Sequence, residues 1–199
     1  MSSIVFAFII FMLSIITIHR NSFWRNDLSL WKDVAIKSPG NPRGHNNLGN
    51  AYKERGEKDS AFIEYKTALK LNQTFSNAHN NLGVLYKEKG LLDEAINEYV
   101  LAAKYSSSSF YKKIIYQNLG TVLAENGLID DAINSYKEAL KIAPADSDDF
   151  YNIGFLYSQK GMTDMAIKFY SEALRVNPYD IGAKKELERL LKTKQKQGK

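Results

Sequence analysis

The chain has no cysteine among its 199 residues, which excludes disulfides and thiolate metal sites. Histidine is scarce, with His19, His45 and His79 the only three, and no Ser-His-Asp arrangement can be assembled from them. No glycine-rich phosphate loop is present. Acids such as Asp130-Asp131 and Asp148-Asp149 are paired only in sequence, the usual mark of a helix start. These absences leave no catalytic residue, no metal ligand set and no cofactor motif, so a non-enzymatic role is expected. An excess of one charge is also missing from most of the chain. Residues 184–199 hold seven Lys or Arg and two Glu, which equals the whole net charge of +5 and leaves the 183 residues before them neutral. A basic tail on a neutral body does not point to nucleic acid, and none is expected as a partner. What remains, 44% hydrophobic and 25% charged, is the composition of a folded protein.

One long apolar run is present. Residues 2–18, SSIVFAFIIFMLSIITI, carry no charge, and about 18 such residues just span a hydrocarbon core. A cleaved signal peptide fits less well, because no Lys or Arg precedes the run and no small-x-small site follows it. One transmembrane helix over residues 1–19 is the expectation. Arg20, Arg25, Lys32 and Lys37 follow it, and the positive-inside rule would hold them in the cytoplasm. Asp27 and Asp33 among them weaken that bias.

The rest of the chain repeats itself. GHNNLGNAYKERG (44–56) and AHNNLGVLYKEKG (78–90) lie 34 residues apart. The pairs Leu48-Gly49, Leu82-Gly83, Leu119-Gly120 and Ile153-Gly154 recur at intervals of 34, 37 and 34. Each is followed in step by a second Gly (Gly56, Gly90, Gly127, Gly161), an Ala (Ala61, Ala95, Ala132, Ala166), a Tyr (Tyr65, Tyr99, Tyr136, Tyr170) and a second Ala (Ala68, Ala102, Ala139, Ala173). This pattern resembles the tetratricopeptide repeat (TPR), a helix–turn–helix unit of 34 residues. It departs from that family at His45 and His79, where Trp is preferred, and at Gln73 and Ser107, where Pro is frequent.

The expected fold is all-α, a right-handed TPR superhelix (α-solenoid) preceded by one transmembrane helix. The expected divisions are the membrane helix at 1–19, an amphipathic capping helix within 20–41, four repeats over 42–180 (42–75, 76–112, 113–146, 147–180), and a capping helix with a basic tail over 181–199. Trp24, Leu28 and Trp31 are expected to cover the first repeat. Numbered from the start of each unit, positions 4, 7, 8 and 11 share one helical face. Gly at position 8 costs about 1 kcal/mol of helix propensity, so close approach by the second helix is its expected reason. Asp59, Asp93, Asp130 and Asp164 are placed to cap the second helices or to face their positive ends. The extra residues at Ser106–Ser109 imply either a longer loop or a helix that starts a turn early, capped by Ser109.

Positions 2, 6, 9 and 13 lie opposite the packed face, and the resemblance implies that they line a concave groove. Position 6 is Asn47, Asn81, Asn118 and Asn152 in the four units; Glu54, Glu88 and Glu125 stand at position 13. A carboxamide matches the N–H and C=O of a peptide backbone, so one Asn per repeat can grip an extended peptide without reading its side chains. The arrangement is similar to the asparagine ladder in the repeats of O-linked N-acetylglucosamine transferase. The other reading has these Asn bonding between neighbouring first helices or to water. Asn50, Asn77 and Thr121 complete the candidate groove. A carboxylate clamp of the chaperone-binding kind is excluded, because Asn46, Ile114 and Asn118 stand where cations are required. With glutamates at position 13, a neutral or basic peptide is the expected ligand.

The expected function is a membrane-anchored, non-catalytic TPR scaffold for a protein or extended peptide. The alternative is an accessory or split-off part of a multi-pass membrane glycosyltransferase, since residues 19–49 resemble the junction between membrane helices and repeats in transmembrane O-mannosyltransferases. That resemblance favours the periplasmic or extracytoplasmic side, against the charge cue, and the side stays open with a slight lean that way.

Overall fold

The computed structural model describes Met12 and residues 27–197. The expected membrane helix at 1–19, apart from Met12, and Trp24 lie outside the described residues. Among those described, no helix is long and apolar enough to cross a membrane.

Ten α-helices make up the described chain: α1 (Asp27–Lys37), α2 (Pro42–Glu54), α3 (Lys58–Leu71), α4 (Ser76–Glu88), α5 (Leu92–Tyr105), α6 (Ser109–Glu125), α7 (Ile129–Ile142), α8 (Ser147–Gln159), α9 (Thr163–Val176) and α10 (Ile181–Gln197). They form an all-α helical-repeat solenoid. The described residues divide into two compact units, one up to Ala78 and the other from His79 on.

Each repeat folds back on itself at its second glycine. Gly56, Gly90, Gly127 and Gly161 have φ between 71° and 78°, a left-handed conformation that only glycine adopts without strain. In the first repeat Glu57 N–H then reaches the Tyr52 carbonyl at 3.0 Å and Gly56 N–H reaches that of Lys53 at 2.9 Å. The other three repeats make the same pair of bonds. This is the Schellman ending, which satisfies carbonyls orphaned at the helix end.

In the first unit, Leu28 of α1 is buried with Leu48 and Ala51 of α2, and Trp31 and Tyr52 pack around them. In the second unit one continuous core runs from Ala95 on α5 to Leu190 on α10 and holds Tyr99, Tyr136 and Tyr170.

Two details decide between the alternatives in the reading of caps. The second helices begin after Glu57, Leu91, Leu128 and Met162, none of whose side chains caps its helix. The aspartates come two residues later, inside the first turn, where their charge meets the positive end of the helix dipole. In the second unit they also tie consecutive pairs together. Asn126 donates to Asp93 at 2.9 Å, Lys160 pairs with Asp130, and Lys194 donates to Asp164 at 2.5 Å. The second detail is the insertion, which is absorbed as helix. α6 runs for 17 residues, where α2, α4 and α8 run for 13. Its cap is Ser108, not Ser109: the Ser108 hydroxyl accepts from Tyr111 N–H at 3.3 Å.

Candidate functional site

The candidate face of each repeat is built from the glycine at position 8 upward. A methyl group on Gly49 would stand 2.5 Å from the ring of Tyr65, and the corresponding distances are 2.8 Å for Gly83 to Tyr99, 2.9 Å for Gly120 to Tyr136 and 3.0 Å for Gly154 to Tyr170. A real Cβ does not fit below 3.0 Å and is tight at 3.0 Å, so the glycine lets the tyrosine ring of the second helix pack against the first. In the first and third repeats the tyrosine hydroxyl meets position 9. Tyr65 donates to Asn50 Oδ1 at 2.8 Å, and the Tyr136 hydroxyl lies 2.9 Å from Thr121 Oγ1. Position 9 of the fourth repeat is Phe155, which offers nothing, and among the described residues the buried Tyr170 hydroxyl has no hydrogen-bond partner. Burial holds the phenols of Tyr99 and Tyr170 well above the ordinary value.

Two cavities open beside these positions, one in each unit. In the first unit a cavity of about 220 Å³ is lined by Asp27, Trp31, Asn47, Asn50, Ala51 and Glu54. In the second a cavity of about 170 Å³ is lined by Thr121, Ala124, Glu125, Tyr136, Asn152, Phe155 and Leu156. The structure therefore brings Asn47, Asn50 and Glu54 together, and separately Thr121, Glu125 and Asn152. Asn77 and Asn81 are half-buried and Glu88 is exposed, and none of them lines either cavity. Asn118 donates to Asn80 Oδ1 on the preceding first helix at 3.1 Å, the neighbour bond that the second reading of these asparagines describes. A carboxamide has two N–H donors and one acceptor oxygen, so this bond uses one of the three. Glu125 is paired with Lys87 at 3.0 Å.

Sequence reasoning missed Asp27, Tyr136 and Phe155 as cavity walls, and it missed a buried acid. Asp149, read only as a helix-start residue, is fully buried. Gln117 donates to its Oδ1 at 3.0 Å, while its Oδ2 has no partner among the described residues. Burial pushes its carboxyl up to about 6; Gln117 and the Lys113 charge oppose the rise, and the charges of Asp146 and Asp148 add to it. Asp146 caps α8 by accepting from the amides of Asp148 and Asp149 and pairs with Lys113. Burial raises its carboxyl too, but the hydrogen bonds from Lys113 and those amides outweigh it and hold the group below the ordinary value. The spacing of Lys113 and Gln117 on one face of α6, a turn apart, was the available signal.

His45 and His79 belong to the packing. His45 Nδ1 lies 2.7 Å from Glu64 and Nε2 3.1 Å from the Pro39 carbonyl. His79 lies 2.6 Å from Glu98 and stacks on Tyr105. Among the described residues no group of three or more His, Asp or Glu is placed to hold a metal ion.

Hairpins of two helices, locked by a glycine–tyrosine contact and repeated four times, define a helical-repeat scaffold with its candidate site on the first helices. A TPR repeat family model matches residues 49–90 and 120–161, and two further tetratricopeptide repeat models match 76–109 and 147–180. Together they span more than half of the chain, and the chain belongs to the tetratricopeptide repeat family. No curated protein matches it. Among solved structures it is similar to the APC/C heterotetramer Cut9–Hcn1, with 24% identity over 82% of this chain and a TM-score of 0.70. The match spans 32% of that subunit's length. It is also similar to MamA, with 26% identity over 76% of this chain and 86% of that one and a TM-score of 0.69. PilF of Pseudomonas aeruginosa shares 16% identity over 94% of this chain and 83% of its own, with a TM-score of 0.72.

Proposed function

We propose that this TPR protein is a non-catalytic scaffold that binds an extended peptide segment of a partner protein along the first helices of its repeats. The observation that carries the reading is the clustering in the second unit of Thr121, Glu125 and Asn152 around one open cavity, with Asn118 less than one turn from Thr121 on α6. Position 6 supplies one carboxamide per repeat, and Asn118 keeps an acceptor and a donor after bonding Asn80. Those groups match a peptide backbone. The glutamate at position 13 favours a neutral or basic segment over an acidic one.

The test is capture from a photoreactive residue at position 81, compared with the same protein carrying Asn118→Ala and Asn152→Ala. Both asparagines are only half-buried, so helical content stays unchanged while capture falls about five- to tenfold per lost carboxamide. Undiminished capture would overturn the reading.

Residues 2–18 support a membrane tether for this scaffold, with the repeats on the periplasmic or extracytoplasmic side favoured slightly. The full chain then stays with membranes after alkaline extraction, and a chain lacking residues 2–18 is released. Release of the intact chain would remove the tether and leave the groove untouched.

A further inference from the structure

We propose that the second unit carries a specificity pocket for one bulky apolar side chain, aliphatic or aromatic, of the bound peptide, with Phe155 as its wall. This rests on the peptide-binding reading above and names the chemistry that the site selects.

The argument starts from an apparent fault in the fourth repeat. Phe155 is 44% exposed, and the hydroxyl of Tyr170, the packing tyrosine of the same repeat, is buried with no partner among the described residues. Both features work against the fold, since an apolar ring is left in water and a buried hydroxyl is left unsatisfied. One repeat earlier, Thr121 occupies the same position and bonds the equivalent Tyr136 hydroxyl at 2.9 Å. In repeat two the position is Val84, which is half-buried and packs against the core. A threonine at 155 would relieve both defects, so a large aromatic there serves something other than the repeat itself.

Its effect is to wall the cavity. Phe155, Leu156, Ala124 and the Tyr136 ring make the apolar wall of a half-open cavity of about 170 Å³. A cavity of roughly 150 Å³ takes a benzene-sized group, whereas sites for small-molecule ligands run from about 300 Å³ upward. The occupant is therefore one side chain. Asn152 and Thr121 supply the neutral polar groups of the lining, suited to a passing peptide backbone. The lining holds one carboxylate, Glu125, already paired with Lys87, and no cation, so an acidic side chain finds no partner there and is disfavoured.

The test begins with a displayed library of short random linear peptides selected on the immobilised full chain. Selected peptides share one large apolar residue, and its replacement by alanine in a synthetic peptide weakens binding about tenfold. Phe155→Thr weakens the parent peptide to the same extent and adds nothing when the peptide already carries alanine. The same Phe155→Thr raises the thermal midpoint by about 2–4 °C, because Tyr170 gains a partner. A Phe155→Thr protein that binds as the parent does, or that unfolds more readily, overturns the pocket and makes Phe155 a packing residue. Peptides that depend on Asn118 and Asn152 but show no apolar preference overturn the pocket and leave the groove reading standing. Peptides that are indifferent to those asparagines, or a selection that enriches none, remove both.

Discussion

The first and fourth repeats answer the same structural questions in opposite chemistries. Both set a tyrosine against a glycine, and both fold back at a glycine of positive φ. They differ wherever the family pattern does not dictate the residue. In the first repeat position 4 is His45, paired with Glu64; in the fourth it is Phe150, whose ring centroid lies 6.3 Å from that of Phe169. In the first, the tyrosine hydroxyl finds Asn50; in the fourth it finds no partner among the described residues. The first helix of repeat one is capped by Asn41, while that of repeat four is capped by Asp146 beside a buried Asp149. A polar repeat and an aromatic repeat share one backbone because glycine, alanine and tyrosine set the helix separation. The remaining positions are then available to give each repeat its own surface.

The largest expected difference between the two is in their response to pH. Asp149 has a folded-state value of about 6 against an ordinary 3.8, so the folded protein binds this proton more readily than the unfolded chain. Stability therefore rises as pH falls from about 7.5 toward 5, and the whole contribution is on the order of 2–3 kcal/mol. Asp146 runs the other way. Its carboxyl is held below the ordinary value, so its contribution is present at pH 5 and above and is lost in more acid solution. Urea unfolding at several pH values checks this, with Asp149→Asn flattening the slope between pH 7.5 and 5. The equivalent position in repeat one is Gly44, so hydrogen exchange across α2 should not share the trend. An unchanged slope in Asp149→Asn would mean that the buried acid does not distinguish the repeats.

The next effect tests what the two repeats share. Alanine at Gly49 would place its methyl 2.5 Å from the fully buried Tyr65, and alanine at Gly154 would place it 3.0 Å from Tyr170. Overpacking costs about 1–3 kcal/mol and alanine returns about 1 kcal/mol of helix propensity. Gly49→Ala should then lose about 2 kcal/mol in urea unfolding, and Gly154→Ala should stay within about 1 kcal/mol of the parent. Equal losses would show that the closer contact in the first repeat carries no extra cost.

That shared frame is what the sequence made legible. Glycine, tyrosine and two alanines at fixed spacing state how closely two helices approach, and this is local information repeated four times. The helix start of α6 was partly legible, because three extra residues had to become either loop or helix. Asp149 was signalled only by Lys113 and Gln117, more than thirty residues earlier in the chain, where Gln117 bonds Asp149 and Lys113 pairs with Asp146 beside it. Phe155 was legible as a residue at position 9 but not as a cavity wall, because the wall exists only once Ala124 and Tyr136 are packed beside it. Position 6 was read either as a row of carboxamides for a peptide or as bonds between neighbouring first helices, and Asn118 makes one bond of the second kind, to Asn80 on α4, which the register alone did not single out as its partner.

The smallest effect isolates the hydroxyl on which the two repeats differ most directly. Tyr65→Phe removes a hydrogen bond to Asn50 and should cost about 1 kcal/mol, the usual net worth of such a bond. Tyr170→Phe removes a buried group that satisfies nothing, so it should be neutral or stabilising by up to about 1 kcal/mol. Both substitutions keep the ring that lies on the glycine, so packing cancels between them and the hydroxyl alone is compared. Thermal unfolding of the two proteins side by side measures the difference. If Tyr170→Phe costs as much as Tyr65→Phe, the fourth repeat satisfies its tyrosine after all, and the exposed aromatic at 155 loses its claim to a purpose beyond the fold.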